Sequence, residues 1–342
     1  MGHLRQRHSP KGIPARTHLC WLGLLFLLLA GCADASRSSH ANLLSLDDPL
    51  TERARKILAD GLSAQDPRVR IAAIESIAAT DQVHMMPRIR PLLRDRSMPV
   101  RFAALLAVGD TRYSLARDDA LQIYGEGRED LNIRVAAAYA LGCLGHRECT
   151  TFYFSAISDK NPTVRANAAL LIGKNGDRSG LKLLHWALQD RDSDGLVRTQ
   201  VVESLARLGD PEIYTRIWRG LISAFADDRI QAVSAMGALG TERSQETLVT
   251  MLDDSVLEVR LCAAQHLGKL GDSTGQPQVI EALNGRIEGQ APSQVQTRVL
   301  TATAIGEIGT DVLVKHLAKF LTDPSPFVQL AGARAVLTQN RG

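Results

Sequence analysis

The chain has 342 residues, 45% of them hydrophobic, which is enough for one large domain or an array of repeats. It carries 40 Lys and Arg against 37 Asp and Glu, but four of those bases and no acid precede Cys32, leaving 36 against 37 after it. No basic stripe interleaved with aromatic residues remains there, so we expect no nucleic-acid partner.

The first 31 residues have the pattern of a secretory signal. A basic stretch precedes an apolar run from residue 19 to residue 29, shorter than the roughly 20 residues of a membrane span. The run ends in Leu-Ala-Gly-Cys at 29–32, which resembles the bacterial lipobox. The resemblance implies cleavage before Cys32, lipidation of that cysteine and a place in the cell envelope, with Ala33 favouring the outer membrane facing the periplasm. An ordinary cleaved signal or an uncleaved anchor is the alternative.

The residues after the signal divide into a short tether and a long array. Residues 32–49 are mostly small and polar and predict a flexible tether. Over 50–342 one pattern returns nine times: an apolar residue, arginine, an alanine-rich stretch, then Leu-Gly-x-Leu-Gly-Asp or a variant. Taking the first apolar residue as position zero, the copies start at 69, 100, 133, 164, 197, 228, 259, 297 and 328.

Each copy predicts a helical hairpin. Apolar residues fall at 0, +4 or +5, +8 and +11, which is the spacing of an amphipathic helix, and a second amphipathic stretch precedes each one. One hairpin cannot bury its apolar stripe alone, so the copies must stack. Glycine followed by aspartate, as at Gly109, Gly176, Gly209 and Gly271, predicts a left-handed turn and a cap for the next helix.

These repeats resemble the HEAT-repeat family, especially its short bacterial form related to phycobilin-lyase repeats. The resemblance implies an all-α, right-handed α-solenoid of about nine hairpins, with the second helix of each hairpin on the concave side. With helices ~8–10 Å apart, nine units would form a curved rod of roughly 80–90 Å. In the family, arginine at +1 makes structural contacts to an aspartate between helices. Here it occupies +1 in eight copies: Arg70, Arg101, Arg134, Arg165, Arg198, Arg229, Arg260 and Arg298.

The concave side offers a candidate binding surface. Positions +2 and +6 are apolar in the second to fourth copies, at Phe102, Leu106, Val135, Tyr139 and Leu170. A continuous exposed apolar patch is typical of a binding site, so these residues are predicted to bind a protein or peptide. The alternative is that +2 is half buried against the neighbouring helix. A longer spacing before the eighth copy predicts a loop insertion over 284–296.

Cysteine and histidine leave several alternatives open. Cys143 and Cys149 could form a disulfide, remain idle thiols, or bind zinc with His146 between them. Cys262 and His266 lie four residues apart on one predicted helix, where packing is the simpler interpretation. We expect no metal and no cofactor.

Two enzyme classes share such repeats, and neither pattern is met. The resemblance to deoxyhypusine hydroxylase would require His-Glu pairs for a di-iron centre, and none of the nine histidines precedes glutamate. Phycobilin lyases act on cytoplasmic proteins, unlike an exported lipoprotein. We therefore expect a lipid-anchored envelope scaffold or adaptor that is not an enzyme. The alternative is a bilin-lyase-like enzyme or chaperone on the same repeats, and no oligomeric state is predicted.

Overall fold

Within the residues that the structure describes, the chain folds into nine helical hairpins, as the periodicity predicts. A computed structural model describes residues 48–285 and 292–340, and no strand occurs within those ranges. Each hairpin, called a unit below, has an outer helix followed by an inner helix. The inner helices are α2 (Pro67–Ala79), α4 (Met98–Asp110), α6 (Leu131–Cys143), α8 (Pro162–Asn175), α10 (Gly195–Arg207), α12 (Ala226–Leu239), α14 (Leu257–Lys269), α16 (Pro292–Ile308) and α19 (Pro326–Thr338). The outer helices are α1 (Pro49–Leu62), α3 (Met86–Ile89), α5 (Arg117–Gly125), α7 (Thr150–Ala156), α9 (Leu181–Gln189), α11 (Tyr214–Leu221), α13 (Glu242–Thr250), α15 (Gln276–Asn284) and, in unit nine, α17 (Asp311–Val314) and α18 (Leu317–Phe320).

Unit eight has a longer inner helix than the others. α16 begins at Pro292, five residues before position zero at Thr297, whereas α4 begins two residues before Val100. The insertion predicted as a loop over 284–296 is therefore helical from 292 onward, while 286–291 lie outside the described residues. Even α16, with its 17 residues, does not qualify as a membrane span, nor does any other helix in the described ranges.

A left-handed residue at +12 turns the chain from each inner helix to the next unit. Glycine takes this conformation in six units, at Gly145, Gly176, Gly209, Gly240, Gly271 and Gly309. In units one and two the same turn is made by Asp81 and Arg112, with φ of 52° and 49°. Gly109 was predicted to make the turn of unit two, but it lies inside α4 at +9. The prediction failed there because the unit lacks a glycine at +12.

Six of the eight arginines at +1 contact the next unit, and Arg134 and Arg198 donate to carbonyls of their own unit. Arg229 donates to both carboxylate oxygens of Asp254 in the next unit, at 2.7 and 2.9 Å, and to the Ser223 carbonyl of its own loop. The same link joins the next unit's aspartate to Arg70 at 2.8 Å and to Arg298 at 2.9 Å. The remaining five bind backbone carbonyls or acids: Arg101 with Glu129, Arg134 with the Tyr124 carbonyl, Arg165 with the Asp159 and Asp192 carbonyls, Arg198 with the Asp190 carbonyl and Arg260 with Glu281. In unit nine Gln329 donates to the Asp323 carbonyl instead.

The nine units close into a ring, not the open rod expected from the sequence. The last inner helix, α19, packs against both α1 and α2 as well as against α16. At this seam Asn340 Nδ2 donates to Thr51 Oγ1 at 2.8 Å, although 289 positions separate the two residues. The guanidinium carbon of Arg68 lies 5.8 Å from the centre of the Phe327 ring. The first and last units therefore contact each other directly.

Glycine at +9 lets adjacent inner helices approach closely, which favours the curvature that closes the ring. A methyl group at Gly306 would lie 2.7 Å from the Cα atom of Ala335, and one at Gly173 would lie 2.8 Å from that of Ser204. Both distances join adjacent inner helices and leave no room for a side chain. The inner helices thus approach closely toward their C-terminal ends. The rod length assumed an open array, and it fails because α19 packs back onto α1 and α2.

Candidate functional site: an enclosed polar centre and an exposed apolar surface

Ring closure encloses the concave surface that was predicted to bind a partner. The five candidate residues are at most 4% exposed: Phe102, Leu106, Val135, Tyr139 and Leu170. The prediction of an exposed patch is therefore wrong. Its stated alternative, half burial of +2, also underestimates the effect, because the inner helices of other units cover this wall.

The middle of the ring holds a set of polar side chains, called the central cluster below: Glu75, Asp110, Tyr139, Lys174, Glu307 and Arg334. Lys174 Nζ lies 2.9 Å from Asp110 Oδ2, and the Tyr139 hydroxyl donates to Asp110 Oδ1 at 2.7 Å. Arg334 Nη2 lies 3.6 Å from Glu307 Oε1. These groups stand at +6 or +10 of units one to four, eight and nine. Only a closed ring brings all of them together.

Glu75 is the anomalous member of the central cluster. It is 5% exposed, and its Oε2 has no hydrogen-bond partner. Burial raises the pKa of the Glu75 carboxyl to about 8, although the positive charges of Arg334 and Lys174 act in the opposite direction. At neutral pH the carboxyl is therefore mostly protonated, so the ring avoids most of the penalty for an unpaired buried charge.

The central cluster is best explained as a structural polar core. The Lys174 side chain is 2% exposed and is bonded to Asp110, so its charge is not offered to solvent. Polar groups of this kind specify which helices meet, since a misplaced helix would leave them unpaired. The signal in the sequence was the set of charged residues at +6 and +10. On an open concave face these charged residues would lie in water, so their pattern alone predicts no buried cluster.

Burial shifts the pKa values of Cys143, Cys149, Cys262 and His266. Cys143 and Cys149 are free thiols, and burial raises the pKa of both. Cys262 lies 3.5 Å from the Ser234 hydroxyl, and burial raises its pKa to about 11. His266 packs against Gly237, and burial lowers its pKa to about 3. Packing thus accounts for Cys262 and His266.

An exposed apolar surface lies on units five and six. It is called the outer apolar surface below and consists of Trp186, Leu196, Trp218, Ile222 and Phe225. Phe225 is 72% exposed and Ile222 is 65% exposed, in the loop that leads from α11 to α12. Of the eleven large apolar residues exposed within the described ranges, these five fall within 40 residues of sequence. This clustering along the chain places the five side chains on two adjacent units, and grouped exposed apolar residues mark binding surfaces more often than scattered ones do.

Comparison with known protein families shows which family the chain belongs to. The family model for HEAT repeats matches residues 55–142, 150–221 and 216–299. The chain belongs to the HEAT-repeat family. The matched segments run from the first unit into the eighth and agree with the hairpins of the structure.

The curated relatives of this HEAT-repeat protein include enzymes. It is 34% identical over 119 residues to phycocyanobilin lyase subunit alpha of Nostoc sp. (strain PCC 7120), covering 32% of this chain and 43% of the relative. It is 25% identical over 116 residues to deoxyhypusine hydroxylase of Danio rerio, covering 34% and 36%. The chain thus spans less than half the length of either relative. These matches nonetheless overturn the expectation that the chain is not an enzyme, because both relatives are enzymes.

Two solved structures resemble the fold. The complex of CpcE and CpcF of phycocyanin lyase from Nostoc sp. PCC7120 gives a TM-score of 0.41 at 18% identity, covering 74% of this chain and 94% of the other. Human deoxyhypusine hydroxylase in complex with glycerol gives 0.37 at 20% identity, covering 77% and 98%.

Proposed function

We propose that this protein is a bilin-lyase-like enzyme or chaperone that holds its partner on the outer apolar surface. The carrying observation is the exposure of two tryptophans and a phenylalanine on adjacent units. Exposed aromatic side chains of this kind are typical anchors for a protein partner, and they also stack on planar ring systems. The central cluster does not serve this role, since Lys174 and Tyr139 pair with Asp110 and Arg334 pairs with Glu307.

The relatives support the chemical class of the ligand. Phycocyanobilin lyase subunit alpha is named for a tetrapyrrole chromophore, and the phycocyanin lyase structure is a complex of two chains. We extend these properties to this protein as part of the proposal. Its partner would then be a protein that carries or receives a tetrapyrrole.

Tryptophan fluorescence tests the proposal, because the three tryptophans are Trp21, Trp186 and Trp218. In full-length protein carrying Trp21→Phe, all indole emission comes from the outer apolar surface. Titration with phycocyanobilin should quench this emission saturably. Replacing Ile222 and Phe225 by glutamate should weaken the apparent affinity by about tenfold or more, equivalent to ~1.4 kcal/mol.

The matched control is Leu115→Glu, which alters an equally exposed apolar side chain in unit three. It should leave the titration unchanged. Absence of saturable quenching, or equal weakening by the control, would remove the lyase-like proposal.

A second candidate function is favoured by the Leu-Ala-Gly-Cys sequence at 29–32. In this version the protein is a lipid-anchored scaffold or adaptor in the cell envelope, tethered through Cys32, which lies outside the described residues. It would bind a protein through the same outer apolar surface without handling a chromophore.

Membrane fractionation separates the two candidates. Wild-type protein expressed with its first 31 residues should sediment with membranes and incorporate a labelled fatty acid, and Cys32→Ser should do neither. A Cys32→Ser protein that stays membrane-bound would eliminate the lipid anchor. A partner captured equally well with and without bilin would favour the scaffold.

A further inference from the structure

A group of potential metal ligands lies at the junction of units five and six. His185 is on the outer helix α9, while Asp210 and Glu212 lie in the turn between α10 and α11. The imidazole nitrogen and one oxygen from each carboxylate all lie within 4.8 Å of one another. Imidazole and carboxylate together are the donor set of many sites for divalent transition metals.

The backbone fixes Asp210 in place. The left-handed Gly209 precedes it, and the Asp210 N–H donates to the Leu205 carbonyl at 3.1 Å. Its Oδ1 accepts the Glu212 N–H at 3.1 Å, which caps the following turn. Asp210 Oδ1 is therefore used in a structural hydrogen bond, and the same contacts fix the position of Oδ2.

The second oxygen of Asp210 lacks a hydrogen bond despite a close neighbour. Asp210 is 5% exposed, and its Oδ2 lies 2.7 Å from His185 Nε2 without a hydrogen bond between them. At this distance a hydrogen bond fails only when the ring nitrogen is not directed at the oxygen. The imidazole nitrogen and the carboxylate oxygen thus form a close ion pair that leaves the hydrogen-bonding capacity of Asp210 Oδ2 unused, so this oxygen remains available to a metal ion.

We propose that His185 Nε2, Asp210 Oδ2 and a carboxylate oxygen of Glu212 bind one divalent transition-metal ion, with Zn²⁺ as the best match. Two ligands about 2.1 Å from zinc at the tetrahedral angle lie about 3.4 Å apart, so His185 and Asp210 separate slightly on binding. His185 is about one-third exposed and Glu212 is exposed, so water or a substrate oxygen completes the coordination. The site is independent of the proposed function.

Titration of the full-length protein with Zn²⁺, after treatment with a chelator, tests the site by calorimetry. We expect saturable binding of one equivalent per chain. His185→Ala should abolish it, and Glu212→Gln should weaken it by about tenfold or more, since each removes a ligand. Both side chains are partly or fully exposed, so both variants should fold, which circular dichroism would verify.

The matched control is His84→Ala, which removes an exposed imidazole in unit two that is not one of the proposed ligands. It should leave Zn²⁺ binding unchanged. Co²⁺ gives an independent readout, since its visible absorption bands report coordination by nitrogen and oxygen. Absence of saturable binding would show that His185 and Asp210 form an ion pair only. Binding that survives His185→Ala, or that falls equally in the control, would also overturn the proposal.

Discussion

The inner wall of the ring and the outer apolar surface use similar residues with opposite results. Phe102 on the inner wall is 4% exposed, whereas Phe225 on the outer apolar surface is 72% exposed. The repeat pattern makes both helices of a unit amphipathic. Curvature decides the difference, because closure removes solvent from the inner face and leaves the outer face open. Apolar residues on the inside therefore stabilise the ring, and those on the outside are available for binding.

Truncating the two phenylalanines is the strongest way to separate these roles. Phe102→Ala should lower the free energy of unfolding by roughly 3–5 kcal/mol, since it leaves a cavity in a packed wall. Phe225→Ala should change it by less than about 0.5 kcal/mol. Urea denaturation followed by circular dichroism measures both. Equal losses in the two variants would mean that the inner wall is open to water.

Replacing Glu75 by glutamine tests the buried carboxyl of the inner wall through pH. The pKa of Glu75 is raised in the folded protein, so the folded state retains a proton that the unfolded state loses above pH 4.5. Its contribution to stability is complete below pH 4.5 and falls as the pH rises toward 8. Relative to wild type, Glu75→Gln should become more stable by roughly 2–4 kcal/mol between pH 5 and pH 8. Glu246→Gln, at an exposed site, should show no such trend.

Adding a methyl group to a glycine tests the close approach of inner helices. Gly306→Ala should destabilise the protein by about 1–3 kcal/mol, because the new Cβ would overlap the backbone of α19. Gly195→Ala, at a helical site with open space, should be neutral or stabilise by up to about 1 kcal/mol. Thermal unfolding of both variants measures these changes in stability. A neutral Gly306→Ala would contradict the proposed cause of curvature.

The arginine links should give the smallest effect. Arg70 donates to the carbonyls of Ala64 and Gln65 and to Asp95 in the next unit, and lysine cannot reproduce this fork. Arg70→Lys should therefore reduce stability by about 1 kcal/mol in urea denaturation. Arg90→Lys, at an exposed pair with Asp119, should leave the midpoint unchanged. A larger loss of stability in Arg90→Lys than in Arg70→Lys would mean that exposed ion pairs stabilise the protein more than the buried arginine links do.

Local features of this fold could be predicted from the sequence, and its global shape could not. The period predicted the hairpins, and glycine at +12 predicted most of the turns because left-handed backbone favours glycine. Closure depends on small tilts summed over nine units, which no single copy encodes. The error at Phe102 and Tyr139 followed directly, since their exposure depended on the shape assumed.

The candidate sites were harder to predict for the same reason. Glu75 and Arg334 are 259 positions apart and meet only across the ring seam. His185 and Asp210 are 25 positions apart, with no short motif to join them. They meet because stacking places the outer helix of one unit beside the turn that begins the next.

The most direct test of ring closure is a crosslink across the seam. Thr51 and Asn340 are joined by a 2.8 Å hydrogen bond, so the double variant Thr51→Cys/Asn340→Cys should form an intrachain disulfide under mild oxidation. It should migrate as a compact monomer on a non-reducing gel and return to normal mobility on reduction. A control with Thr51→Cys/Thr250→Cys, which lacks the contact, should remain reduced. Two reactive thiols at 51 and 340 that never crosslink within one chain would contradict the closed ring.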